Sequence, residues 1–228
     1  MNATFDNTSE SQASGFTGQN SMAASFVVAS NFVASGARAA IEGGNPQIDA
    51  GGAVSVKASD TSGLNSDSTI SLVAETTSDN EFSDDNAMAL GGISVRNVLE
   101  GGTVAEVLNA DITGDSIEIS AENSAKLEAS VDAEASAAGG STLGAGTQLA
   151  VNAVIASNTV LGGALAQGVN SELTANTGDV SVTADNSLEL AATNANQVSS
   201  GDQGVGVMLA FNTLGYESQN ILFQALDA

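Results

Sequence analysis

The sequence predicts an all-β protein, a parallel β-solenoid built from about three and a half repeats of roughly 60 residues. Three observations predict it. The chain repeats itself at long intervals, its apolar residues alternate with polar ones at a period of two, and no Asn-Gly or Asp-Gly pair separates the alternating stretches as tight hairpins would require. The apolar positions hold mostly Ala, Val, Ile and Leu, and the 228 residues include no Trp, one Tyr and seven Phe, which suits a narrow interior.

Taken in order, residues 1–21 are polar without a clear period and read as a lead-in or cap. Repeat 1 then covers 22–87, repeat 2 covers 88–148 and repeat 3 covers 149–206. Residues 207–228 are a partial fourth repeat or a C-terminal cap. Near the start of each copy an apolar strand ends in Asn, at Asn31, Asn97, Asn158 and Asn212, with intervals of 66, 61 and 54 residues.

The second and third copies next pass a Gly-Gly pair (Gly101-Gly102, Gly162-Gly163) and a Gly-Asp turn (Gly114-Asp115, Gly178-Asp179). An alternating strand follows, marked by Ile117 and Ile119 in one copy and Val180 and Val182 in the other. Both continue into Glu122-Asn123 or Asp185-Asn186 and a further strand opening at Leu127 or Leu188. The first copy has looser counterparts at 51–58 and 69–74.

Residues 124–138 have a helix-forming composition, yet Leu127, Ala129, Val131, Ala133 and Ala135 keep the two-residue alternation and predict strand. Residues 217–228 predict a helix with Ile221, Leu222, Ala225 and Leu226 on one face.

Turn-forming clusters recur about every ten residues, so each repeat would make about three coils of roughly 20 residues. Stacked at about 4.8 Å, these coils would give a rod on the order of 50 Å long. On that spacing the four asparagines stand several coils apart, and capping of local turns is preferred to an internal amide ladder.

The charge balance narrows the function. Against 27 carboxylates stand only Arg38, Lys57, Arg96 and Lys126, a formal net charge of −23. No basic patch exists to hold nucleic-acid phosphates, and the field disfavours an anionic membrane surface. Cys and His are absent, which removes disulfides, thiolate zinc sites, thiol catalysis and the commonest general base. No stretch approaches the roughly 18 apolar residues of a membrane-inserted helix. Residues 1–25 lack the basic and apolar regions of a signal peptide, so an export address is expected outside this chain.

Polysaccharide-acting β-helices use a Lys or Arg base beside clustered carboxylates. Here the basic residues are scattered and paired acids arise by chance, so no catalytic residue is expected. The densest acidic stretch, Asp79, Glu81, Asp84 and Asp85, would take calcium as its cofactor through carboxylate oxygens. A solvated acidic loop is the plainer reading, because the spacing matches neither the helix-loop-helix calcium loop nor the glycine-rich nonapeptide.

Three motifs together carry a resemblance: the apolar strand closed by Asn, the run Gly-Asp-Val-Ser-Val-Thr-Ala at 178–184, and Val-Gly-Val-Met-Leu-Ala-Phe-Asn-Thr-Leu-Gly at 205–215. They resemble the β-strand repeats of giant bacterial surface adhesins, filamentous-haemagglutinin-like chains and large secreted repeat proteins. The resemblance spans about residues 22–228, and its motifs build strands and turns without bringing any catalytic or binding residue. It implies export, a rod-like stalk on the bacterial cell surface, and a part in cell adhesion or biofilm. The expected function is thus a structural and adhesive stalk segment without catalysis. The alternative is a subunit that assembles end to end into an extracellular filament, and the third reading is a polysaccharide-acting β-helix enzyme. Expected partners are neighbouring repeats or copies of the chain, and cell-surface or matrix polysaccharide.

Overall fold

The computed structural model describes residues 1–16, 18–140 and 143–215. Its elements are all β-strands, and they recur in sets of four. The first set is β1 (Asn2–Gly15), β2 (Asn20–Ala34), β3 (Ala37–Ile41) and β4 (Gln47–Asp49). The second is β5 (Val54–Ser78), β6 (Asn86–Glu100), β7 (Thr103–Leu108) and β8 (Asp111–Gly114). The third is β9 (Ile117–Ala138), β10 (Gln148–Leu161), β11 (Ala164–Val169) and β12 (Glu172–Ala175), and β13 (Val180–Ser200) and β14 (Gln203–Leu214) begin a fourth.

Equivalent strands pair in parallel into four sheets. Sheet A has the order β1-β5-β9-β13, sheet B β14-β10-β6-β2, sheet C β11-β7-β3 and sheet D β12-β8-β4. The described residues therefore run A, B, C, D in three full circuits and half of a fourth. One repeat is one circuit, which corrects the expectation of three short coils per repeat.

The physical reason lies in β5 and β9, which run for 25 and 22 residues without interruption. Their clusters of Ser, Thr, Asn and Asp have turn composition, but they are the outward half of an unbroken alternation. Ser59, Thr61 and Asp67 face solvent, on the side of the strand opposite the buried Ala58, Leu64, Ser66 and Ser68. Four layers at about 4.8 Å make a shallow stack, and the long dimension follows the strands, on the order of 80 Å for β5 at about 3.3 Å per residue. The expected 50 Å rod is replaced by a broad slab.

Residues 2–15, read from sequence as polar lead-in, form the edge strand β1, in register with β5 from Asn2↔Asn65 to Gly15↔Ser78. Residues 124–138 lie in β9 as the alternation predicted. The predicted helix at 217–228 lies outside the described residues. The register also adjusts one motif: Leu127 pairs with Leu190, and Leu188 pairs with Ala125.

The interior has two compartments. The later half of sheet A packs on sheet B, where Leu72 and Val131 meet Val27, Val95 and Val154. The earlier half closes on sheets C and D, where Ile117 and Ile119 meet Val107 and Ile112. Leu64, Leu127, Leu99 and Val160 fill the zone between them. Burying each such side chain contributes about 1.5–3 kcal/mol, and the many alanines let the sheets approach closely.

Tight corners separate the sheets. After sheet B the chain passes Gly101 (φ 126°), and a Cβ on Gly162 in the next layer would lie 1.3 Å from the Gly101 carbonyl oxygen. Ser35 holds this position in the first layer, and only glycine fits above it in the second and third. Between sheets C and D the left-handed turn residue is Asn each time, at Asn45, Asn109 and Asn170 (φ 56°, 51° and 50°), a side chain that tolerates this conformation. Paired residues lie 63 apart in sheet A, for example Gln12 with Glu75 and Ser120 with Thr183, whereas in sheet B the interval shifts from 66 to 61 to 54.

Candidate functional site

Among the described residues, a column of four amides runs through the interior across all four layers. Asn31, Asn97, Asn158 and Asn212 occupy one register position of β2, β6, β10 and β14 and point inward. Asn31 Nδ2 donates to Asn97 Oδ1 at 3.1 Å, Asn97 Nδ2 to Asn158 Oδ1 at 2.9 Å, and Asn158 Nδ2 to Asn212 Oδ1 at 3.0 Å.

Each amide also donates across to the backbone of sheet A. The acceptors are Asn65 O at 2.9 Å, Glu128 O at 2.7 Å, Ala191 O at 2.6 Å and Leu190 O at 3.1 Å. Asn31 and Asn97 are 1% and 0% exposed, so these bonds form where an unpaired amide would be costly. The column replaces the turn-capping role expected from sequence. Intervals near 60 residues are one circuit, and they bring the amides into contact.

Amide pairs also link adjacent layers elsewhere. Asn123 Nδ2 donates to Asn186 Oδ1 at 2.7 Å, and Asn170 Nδ2 to Asn109 Oδ1 at 3.4 Å. On sheet C, Glu106 is gripped from two layers: Arg38 Nε donates to its Oε1 at 2.8 Å and Gln167 Nε2 to its Oε2 at 2.8 Å. The Gln167 amide and then the Arg38 guanidinium hold the Glu106 carboxyl below the usual carboxylate range. Arg38 also bonds Glu42, which is lowered for that reason, and the guanidinium is raised by Glu42 first and Glu106 second.

On the outer face of sheet A, Lys126 Nζ reaches Glu128 at 2.9 Å and Glu189 in the next layer at 3.1 Å. Both carboxylates raise its pKa, Glu128 the more. These groups crosslink layers rather than converge on one point. Sequence reading missed the Arg38–Glu106–Gln167 set, although Glu106 and Gln167 lie 61 residues apart, the same step as Asn97 and Asn158.

The four residues proposed for calcium line the bend between β5 and β6 without converging. Asp79 is exposed and its backbone N–H donates to Gly15 O at 3.3 Å, while the Glu81 carbonyl accepts from Leu143 at 2.8 Å. Asp84 Oδ1 accepts the Ala145 N–H at 2.8 Å. Asp85 is buried, and its Oδ1 accepts from Gln19 N at 2.8 Å and Ser83 Oγ at 2.5 Å, leaving Oδ2 without a partner. Among the described residues no group of three or more acidic side chains is placed to hold a metal ion.

Two of the open grooves on the described residues lie on sheets B and D. One, about 390 Å³, runs over Met22, Met88 and Leu149 on the outer face of sheet B, beside Asn20 and Asn86. The other, about 500 Å³, lies on sheet D between Gln47, Asp49, Asp111, Thr113, Glu172 and Thr174. Among the described residues no helix is long and apolar enough to cross a membrane.

No protein-family model, curated protein or solved structure matches this chain.

Proposed function

We propose that the chain is a parallel β-solenoid segment serving as a structural and adhesive stalk of an exported bacterial surface protein, without catalysis. The observation that carries this reading is the column Asn31–Asn97–Asn158–Asn212, in which one group recurs at one place in successive layers. An active site gathers different groups at a single point. A column of identical groups instead serves to lock each added layer to the last, which is what a lengthening stalk needs. For adhesion to a surface or matrix polysaccharide, the polar groove on sheet D offers carboxylates and hydroxyls in rows that follow the layer spacing.

Immunogold labelling of intact source cells tests the reading, with label on the cell surface as the expected result. Label confined to the cytoplasm of permeabilised cells would overturn it, and so would release of reducing sugar from a polysaccharide by the purified chain.

A second reading, a subunit stacking end to end into an extracellular filament, is favoured by the layer of β13 and β14. There Val182 and Met208, at inward positions of β13 and β14, are 47% and 54% exposed. Among the described residues no further strand pairs with the outer edges of β1, β2, β13 and β14, and edges of this kind accept another layer. Electron microscopy of the purified chain at rising concentration separates the readings: unbranched filaments support the second, and their absence at millimolar protein removes it.

A further inference from the structure

The two large sheets present opposite chemistry to solvent. Outward positions of sheet A carry Asp6, Glu10, Asp67, Glu118, Asp132 and Glu189 among other acids, against Lys57 and Lys126. The strands of sheet B hold a single carboxylate, Glu100, and a single cation, Arg96, so they are formally neutral within a chain of net charge −23.

The outward residues of sheet B form apolar rows across the layers. One row is Ala24–Leu90–Val151–Val205, and another brings Val28, Ile155 and Leu209 together around Ser94. Phe26, Val28 and Met22 are 75%, 70% and 62% exposed. Among the described residues the elements packed on sheet B belong to sheet A and lie on its other face.

The face has the dimensions of an interface. Strands of 15 and 14 residues, β6 and β10, extend about 50 Å, and four of them cover about 19 Å. That is on the order of 900 Å² of face per copy, its apolar rows and the polar residues among them taken together. Two such faces together bury about 1,800 Å², within the roughly 1,200–2,000 Å² of a stable standard-size complex.

We propose that the outer face of sheet B is a pairing surface for a second copy of this chain, joined face to face. Charge selects this arrangement. A chain with this net charge repels its copies, and pairing through sheet B keeps the acidic faces of sheet A on opposite sides of the dimer, outward to water. The contact is lateral, across the strands' side chains, and is therefore distinct from end-to-end stacking through strand edges. A shared face related by a two-fold axis closes at two copies.

Sedimentation equilibrium of the purified chain reads this directly, with a monomer–dimer equilibrium as the expected result, tightening when salt screens the acidic faces. The double variant V151E/I155E places carboxylates in the middle of the face and is expected to weaken association at least tenfold. The milder pair F26S/V28S, at exposed positions of β2, does the same with less risk to folding, and an unchanged circular dichroism spectrum certifies both. A wild-type chain that stays monomeric at millimolar concentration and high salt overturns the proposal. So does an oligomer that persists in both folded variants, or that grows beyond two copies, since either result places the contact at the sheet ends.

Discussion

The side-chain amide of Asn97 donates to Asn158 Oδ1 at 2.9 Å, and 61 residues of chain separate the two. Asn97 also accepts from Asn31 and Ser66 and donates to Glu128 O. Replacing it with Ala strands donors and acceptors in a dry interior. Asn97→Ala is expected to cost about 2–4 kcal/mol in urea unfolding. Asn212→Ala, at the exposed end of the column, is expected to cost about 1 kcal/mol or less. Equal losses at the two positions would show that burial of the column does not matter.

The glycine corner gives a sharper contrast. A Cβ on Gly162 would meet the Gly101 carbonyl oxygen at 1.3 Å, whereas one on Gly44 meets nothing within 4 Å. Gly162→Ala is expected to lower stability by about 3 kcal/mol or more, or to prevent folding. Gly44→Ala is expected to stay within about 0.5 kcal/mol. Thermal melts of the two variants side by side check this.

Acid should weaken the sheet C crosslink. Glu106 and Glu42 titrate below their ordinary values, Glu106 through Gln167 and Arg38, and Glu42 through Arg38. A lowered carboxylate contributes its full stability above the unfolded pKa of about 4.3 and loses it as pH falls through the folded value. The melting-temperature gap between wild type and Glu106→Gln is therefore expected to be constant near neutrality and to close as pH falls below the unfolded value and through the lower folded one. A gap that widens on acidification would reverse the sign. Using the difference cancels the relief of repulsion on sheet A, which protonation brings to both proteins.

Cations should act through screening. Raising sodium chloride from about 0.01 to 0.5 M shortens the screening length from about 30 Å to a few ångströms and should raise the melting temperature. At matched ionic strength, calcium and magnesium are expected to give equal shifts, because Asp84 and Asp85 each commit Oδ1 to hydrogen bonds. A calcium-specific rise at millimolar concentration would instead place a site at the bend holding Asp79, Glu81, Asp84 and Asp85.

Strand class and repeat were legible in the sequence because both depend on local pattern. The alternation of Ile117, Ile119 and Val131 and the recurring Asn positions fixed which residues face inward and which ones match. The size of the circuit was not legible. Polar runs such as 59–69 have the same composition whether they turn or form the wet side of a long strand, and only pairing to β9 decides between them. That single ambiguity also hid the amide column, since the contact of Asn31 with Asn97 depends on how many residues one circuit holds. The apolar outer face of sheet B was obscured for a related reason. Its residues are spread over β2, β6, β10 and β14, and no one stretch of sequence displays the rows.

The unequal spacing of the two large sheets has a practical consequence. Sheet A keeps its interval of 63 while sheet B drifts from 66 to 54, so extra or missing residues are absorbed at the connections and the strands keep phase. Enlarging a surface loop costs only about 0.6 kcal/mol for each doubling of its length. The bend at the exposed Glu81 and Phe82 is thus a docking port for foreign sequence: an epitope or small module grafted there would be carried on one flank of the slab, at a height set by the layer chosen.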